Sequence, residues 1–337
     1  MKVWVIRGRF GLDALAQEER PQPEPGPGEV LLRVRAVSLN YRDLMVVKGL
    51  YNPKMSLPRI PCSDAAGEVA AVGSGVRGVA AGQRVAGLFA PAWQCGEPTE
   101  AKHRSALGEA AEGVLAEYVV LPEHGVVAVP EHLSDEEAAT LPCAGLTAWH
   151  ALVTEGRVAP GDTVLVQGTG GVSLFALQFA RLAGARVIIT SSRDDKLQRA
   201  AALGAAEGIN YKTTPEWGDR ARQLTGGRGV DHVVEVGGAG TLAQSLRAVR
   251  MGGRVSLIGV LAGGGGSVNL VPVLMKSVRV QGIFVGSREM FEAMNRAVAE
   301  HRLRPVVDRV FGFAEAPEAF RHLESGAHFG KVCIRVG

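Results

Sequence analysis

Cysteine is scarce in this sequence. Four residues in 337 (Cys62, Cys95, Cys143 and Cys333) lie far apart and form no C-x-x-C pair. That spacing excludes a disulfide framework and points to a reducing compartment. Long apolar runs are missing too: no stretch approaches the roughly 20 residues needed to span a bilayer. The opening MKVWVIRGRF has neither the apolar core nor the cleavage site of a secretion signal, so a cytoplasmic, soluble protein is expected. Nor is there an excess of one charge. The 37 basic and 34 acidic residues are interspersed and leave +3, which gives no electrostatic case for nucleic acid or a membrane surface. No repeat recurs at solenoid or propeller periods.

Glycine, by contrast, is abundant. Its 44 residues sit at the ends of apolar runs, where tight strand-to-helix turns require them. The length suffices for two domains, each with its own core. Residues 1–120 read as short strands (3–6, 29–36, 68–72 and 116–121), with the proline-rich PQPEPGPGE between the first two. A surface lobe without helical period is expected over 89–113, and one short helix over 42–48. From about Leu133 the pattern changes. Ser134-Asp-Glu-Glu has the form of a capped helix start, and strands then alternate with helices. Strands are expected at 163–167, 186–190, 230–236, 254–259 and 278–285, with helices at 171–183, 194–203, 241–249 and 289–300. Apolar strands alternating with helices predict a doubly wound parallel sheet, the nucleotide-binding plan.

The strongest chemistry lies in TVLVQGTGGVSLFALQFARLAGARV. A buried strand ends at Gln167, and Gly168, Thr169, Gly170, Gly171 and Val172 lead into a helix. The unpaired N–H groups and positive dipole end of that helix suit a pyrophosphate. Glycine lets the backbone approach it. Ser173 stands where the usual fingerprint has its third glycine. An NAD site usually ends the second strand with an acid that binds the ribose 2′-OH. Here that strand runs into Ser191, Ser192 and Arg193, with no acid before Asp194. Hydroxyls and a guanidinium suit a 2′-phosphate, and Lys196 and Tyr211 would complete the pocket. NADP(H) is therefore expected over NAD(H), although Arg193 and Lys196 would also serve simply as a solvated helix start.

Read in order, AVSLNYRDLMVVKGLY (36–51), SDAAGEVAAVGSGV (63–76), LPCAGLTAWHAL (141–152), the glycine turn, LGAAEGINY (203–211) and FGKVCIRV (329–336) resemble the medium-chain dehydrogenase/reductase superfamily over essentially the whole chain. The likeness is strongest to its zinc-free quinone-oxidoreductase branch. It implies a GroES-like, mostly β catalytic domain from residues 1–144 and 285–337, and a Rossmann domain over 145–284. The zinc members hold their catalytic metal through a Cys in the segment matching Ser38–Asp43, a His where this chain has Ser63, and a Cys matching Cys143. Of these only Cys143 is present, and the lobe has only Cys95 where four cysteines would bind structural zinc. Catalytic zinc takes about three protein ligands, so no zinc is expected.

The resemblance also implies roles. Asn40 and Tyr51 match residues that hydrogen-bond near nicotinamide and substrate, and Asp64 matches an acid that would tune a proton donor. Thr147, Gly237 and Gly259 match positions around the cofactor, and Lys331 a basic residue that approaches the nucleotide. The strand 277–285 would pair two copies into a homodimer. Arg42 and Asp43 are expected to pair, and His150 to be a satisfied helix histidine. Without a Lewis acid, hydrogen-bond donors must stabilise developing oxyanion charge. That suits hydride transfer to an electrophilic small molecule: a quinone, enone or alkenal. Two other readings fit the same residues, a metal-free alcohol or ketone dehydrogenase and a non-catalytic NADPH-binding sensor.

Overall fold

The computed structural model describes all residues, Met1–Gly337, as two compact units: Met1–Leu146 with Gly286–Gly337, and Thr147–Val285. Strands are numbered in chain order. The first unit begins with an antiparallel pair, β1 (Lys2–Ile6) and β2 (Leu15–Glu19). Its main sheet contains β3 (Glu29–Leu39), β4 (Asp64–Val72), β5 (Arg84–Gly87), β6 (Tyr118–Pro122), β7 (Val126–Ala128), β14 (Val307–Gly312) and β15 (Lys331–Arg335). The order is β14-β15-β3-β4-β5-β7, and β6 also pairs with β3. The long β3 alternates valine and leucine with arginine and touches three partners, β4, β6 and β15. A core of Val3, Val5, Leu32, Val34, Leu39, Val69, Leu115, Phe320 and Ile334 packs behind it.

The second unit is a six-stranded sheet, every neighbouring pair parallel. It comprises β8 (Thr163–Gln167), β9 (Arg186–Ser191), β10 (Glu207–Asn210), β11 (Val230–Glu235), β12 (Val249–Leu257) and β13 (Arg279–Gly282), in the order β10-β9-β8-β11-β12-β13. The strand order reverses between β8 and β11, so the crevice beyond their carboxyl ends is where such sheets bind ligands. Helices Gly171–Leu182, Asp194–Ala202, Trp217–Leu224 and Leu242–Ala248 connect the strands. Every residue of β8 and β11 is buried, the polar Thr163, Gln167, Asp231, His232 and Glu235 included.

Several expectations need revision. The strand expected over 254–259 begins at Val249, because Gly252-Gly253 continues the strand where such a pair normally marks a turn. The strand expected over 278–285 forms only Arg279–Gly282. The helix at 42–48 starts one residue earlier, at Tyr41. Ser134 does cap its helix: Glu137 N donates to Ser134 Oγ and Ser134 N to the Glu137 carboxylate. The lobe over 89–113 is irregular apart from a single turn, Glu100–His103. No helix is long and apolar enough to cross a membrane.

Candidate active site

In the second unit, β8 ends at Gln167 and the chain turns through Gly168, whose φ of 71° lies in the left-handed region that favours glycine. Gly170 is different. Its φ is −81°, open to any residue, and a Cβ built there would meet no atom within 4 Å. The chain itself gives no reason for glycine at 170. The empty space lies at the N-terminus of the helix Gly171–Leu182, which has no side-chain cap, so its first N–H groups are left for an anion. Gly259 has an internal reason instead, since a Cβ there would lie 2.6 Å from the Val236 carbonyl. Ser173 replaces the third glycine and ties the helix to the strand, its Oγ donating to Gln167 O at 2.7 Å. Gly168, Gly170, Gly171 and the neighbouring Thr169 and Val172 thus form a cradle that fits a dinucleotide pyrophosphate.

Beside this cradle lies a polar knot that the sequence did not reveal. Glu235, fully buried at the end of β11, accepts at Oε1 from Gly237 N (2.7 Å), Gly238 N (3.0 Å) and Thr241 Oγ1 (2.6 Å). Its Oε2 accepts from Gln167 Nε2 (2.6 Å) and from Ser245 Oγ. Gln167 Oε1 in turn accepts from Val236 N and Gly237 N. This knot ties β8 to β11 at the point where strand order reverses, and it sets the turn carrying Gly237.

At the end of β9, Ser191 is buried and its carbonyl accepts from Tyr211 N at 3.0 Å. Ser192 follows, half-buried. The Arg193 guanidinium is exposed and lies bidentate on Asp195, with both contacts at 2.8 Å. Lys196 is buried, and the Tyr211 ring is exposed. Asp194 accepts from Asn210 Nδ2. Thr147 is buried at the start of this unit. His150 donates from Nδ1 to the Val285 carbonyl at 2.8 Å, a satisfied helix histidine.

The first unit contains a second buried cluster, assembled from four distant segments. Asn40 ends β3 and caps the helix Tyr41–Val47, its N–H donating to Asp43 Oδ2 at 2.8 Å. Lys331, at the start of β15, donates from Nζ to Asn40 Oδ1 and to Leu39 O, both at 2.5 Å. Asn40 Nδ2 faces Ser63 Oγ at 3.4 Å, and Ser63 Oγ donates to Asp64 Oδ1 at 2.7 Å. Asp64 Oδ2 accepts from Cys143 N at 3.0 Å. Both carboxylates are fully buried. Burial pushes the Asp64 carboxyl above its ordinary range, against the pull of Lys331 and of hydrogen bonds from Ser63, Asn40 and Cys143. Burial likewise pushes Asp43 up to about 6, against the Arg42 guanidinium. Burial and the nearby Asp64 also push the Cys143 thiol far above its normal value, so it is held as the thiol.

Lys331, expected to approach the nucleotide, donates from its ammonium to Asn40 and Leu39 within the first unit. Its sequence signal was slight: a lysine opening the apolar strand KVCIR, buried like its neighbours. Arg42 and Asp43 pair as expected, at 4.0 Å. Arg42 also donates to Leu107 O and lies against the rings of Tyr51 (5.1 Å) and Phe89 (4.9 Å). Tyr51 itself is 42% exposed, with its ring against that guanidinium.

The cluster also tests whether zinc fits. Asn40, Ser63, Asp64 and Cys143 come together, but they offer one carboxylate and one protonated thiol, with an ammonium 2.5 Å from the amide oxygen. Zinc needs deprotonated thiolate, imidazole or carboxylate donors in threes or fours. These residues do not fit it.

Comparison with known proteins places the chain. Residues 26–131 match the family described as alcohol dehydrogenase GroES-like domain, and residues 171–300 the family described as zinc-binding dehydrogenase. A zinc-type alcohol dehydrogenase-like protein of Schizosaccharomyces pombe is 46% identical, covering 97% of this chain and 96% of its own. An acryloyl-coenzyme A reductase of Metallosphaera sedula is 30% identical over 99% of both chains. A solved NAD-dependent alcohol dehydrogenase is 41% identical, covers all of both chains and has a TM-score of 0.92. With a GroES-like first unit and a Rossmann second unit, the chain belongs to the medium-chain dehydrogenase/reductase superfamily and is an NAD(P)H-dependent oxidoreductase.

Proposed function

We propose that the protein reduces an electron-poor small molecule, an enone, alkenal or quinone, with NADPH and without a metal. The observation that carries this reading is the buried cluster of Lys331, Asn40, Ser63 and Asp64, in which Ser63 stands where zinc relatives keep a histidine ligand. Its groups donate hydrogen bonds and balance charge. An oxyanion delocalised as an enolate or hydroquinone can be held by such donors, whereas a simple alkoxide asks for more. Bound in the cradle, the nucleotide supplies hydride from its nicotinamide. Asn40 and Tyr51 hydrogen-bond the substrate oxygen, Asp64 keeps the donor side of Asn40 oriented, and the final proton comes from solvent. The net change is one hydride and one proton gained by the substrate. The acryloyl-coenzyme A reductase among the relatives, whose name specifies a carbon–carbon double bond next to a carbonyl, supports this class.

Preference for NADPH rests on Ser191, Ser192 and Arg193 with no acid at the strand end. The Arg193–Asp195 pair is half exposed on both sides, and exposed pairs hold weakly, so a 2′-phosphate can recruit the guanidinium. The test is fluorescence titration of EDTA-treated protein with NADPH and NADH, followed by turnover of 1,4-benzoquinone and an enone. NADPH should bind at least about tenfold tighter, with turnover that added zinc leaves unchanged. Gly170→Val should keep the melting temperature, because its side chain enters open space, yet lose nucleotide binding about a hundredfold. Preference for NADH, or activity appearing only with zinc, would refute the reading in favour of the alcohol dehydrogenase alternative. Tight NADPH binding with no turnover of any electrophile would instead favour the sensor.

We also propose a homodimer through β13. One edge of β13 pairs with β12 and the other is open. All four of its residues are exposed, as are Leu270, Val271, Leu274 and Met275 just before it. An open strand edge beside exposed apolar side chains is a template for a second strand, and a copy of β13 supplies one. Sedimentation should give twice the chain mass, falling to one chain in Val280→Lys; a monomeric wild type would end the idea.

A further inference from the structure

We infer that Lys331 is a positioning residue that acts on the reaction through Asn40, fixing which face of the Asn40 amide meets the substrate oxygen. The inference rests on the metal-free reading above, in which Asn40 donates to that oxygen. Lys331 is 4% exposed and comes from the far end of the chain, so its burial needs a reason. An ammonium has three donors and no acceptor. Only the oxygen of the amide can therefore face it, and the 2.5 Å contact to Oδ1 leaves Nδ2 on the opposite side. On that side stand Ser63 Oγ, at a loose 3.4 Å, and the Asp64 carboxylate.

The order across the cluster is thus ammonium, amide, hydroxyl, carboxylate. Positive charge at the amide oxygen draws electron density away from the amide nitrogen, which makes its N–H groups stronger donors. A rotated amide would present its oxygen to a developing oxyanion and repel it. Lys331 prevents that rotation, and Leu39 O holds the ammonium in register as its second acceptor. In the zinc relatives a metal supplies positive charge at this place; here a lysine supplies it one atom group further back, relayed through an amide. Nothing in this arrangement requires Lys331 to touch either substrate or nucleotide.

The experiment uses the full-length protein with Lys331→Met, Lys331→Gln, Asn40→Ala and the double variant Lys331→Met/Asn40→Ala. Removing one oxyanion donor costs about a hundredfold in kcat. Asn40→Ala should lose that much, Lys331→Met roughly tenfold to a hundredfold, and the double variant no more than the worse single one, as expected when two residues act as a unit. NADPH affinity should stay within about twofold of wild type throughout. A Lys331 variant that keeps kcat but loses NADPH affinity would overturn the inference, and so would losses that multiply in the double variant.

A second readout needs no turnover. In 15N-labelled protein, the side-chain NH2 resonances of Asn40, identified by their loss in Asn40→Ala, should move in Lys331→Gln. An unmoved pair would overturn the inference. Should the wild type reduce no electrophile at all, the functional reading falls, while the resonance still decides whether Lys331 sets the amide. Should Lys331→Met fail to fold, Lys331→Gln, of similar length and still a donor, takes its place in both measurements.

Discussion

Each unit buries a carboxylate within a polar network, and the two networks are built on opposite principles. Around Glu235 the donors are neutral and numerous: two backbone N–H groups, two hydroxyls and one amide saturate both oxygens. Around Asp64 the donors are fewer, one contact is loose, and the balancing charge of Lys331 stands two groups away. A saturated carboxylate fixes backbone, in this case the turn carrying Gly237. A carboxylate at one end of a chain of polarised groups with a cation at the other leaves donor capacity within that chain for something else. The comparison teaches that a buried charge is read from how completely it is satisfied rather than from its burial.

The sharpest way to break the comparison is Glu235→Ala. It removes an acceptor from five donors, of which Gln167 Nε2 keeps Ser245 Oγ and Thr241 Oγ1 keeps Gly238 O, and uncompensated buried polar groups are expensive. A loss of about 3–5 kcal/mol in urea unfolding is expected, together with weaker nucleotide binding as the 237–241 turn loosens. A loss below about 1 kcal/mol would mean the knot is incidental.

Asp43 gives a smaller and pH-dependent effect. Its carboxyl is pushed up to about 6 from an ordinary 3.8, with burial and Asp64 raising it and Arg42, the Asn40 N–H and Lys331 lowering it. Between those two values the folded chain holds a proton that the unfolded chain releases. Its contribution is therefore fully present below about pH 4 and is lost as pH rises through 6. Wild type should lose on the order of 1–3 kcal/mol of stability across that window, of which Asp64, shifted in the same direction, supplies part. Asp43→Asn still accepts from Asn40 N and should flatten the slope. Urea midpoints at pH 4.5 and 7 check it, and an unchanged slope would place the buried proton elsewhere.

The two networks also differ in how far they could be read from the sequence. The parallel sheet and the glycine cradle are local: one run of 25 residues carries strand, turn and helix, and its periodicity expresses burial directly. The knot sits nearby, but Gln167 and Glu235 look like ordinary polar ends of apolar strands, and only the sheet order makes them neighbours. The first unit's cluster draws on positions 40, 63–64, 143 and 331. Resemblance points to Asn40, which matches a residue near nicotinamide and substrate, and to Asp64, which matches an acid beside the ligand position that Ser63 occupies. The contact of Lys331 with Asn40 is set by the pairing of β15 with β3, 291 residues apart, which no local pattern encodes. The Asp43 cap is legible as N-x-x-D before a helix.

That same pairing of β15 with β3 has a consequence for how the chain is made. The second unit is continuous from Thr147 to Val285, so every strand of its sheet is available once the ribosome has passed that point. The first unit must wait for its last strands, β14 and β15. Until residue 331 emerges, the Asn40 amide lacks its Lys331 partner, and the Ala36–Leu39 part of one β3 edge is bare. Long-range pairings of this kind form slowly and leave sticky intermediates. A chain cut short late in the message can therefore complete its Rossmann sheet but not the buried cluster of Asn40, Ser63, Asp64 and Lys331.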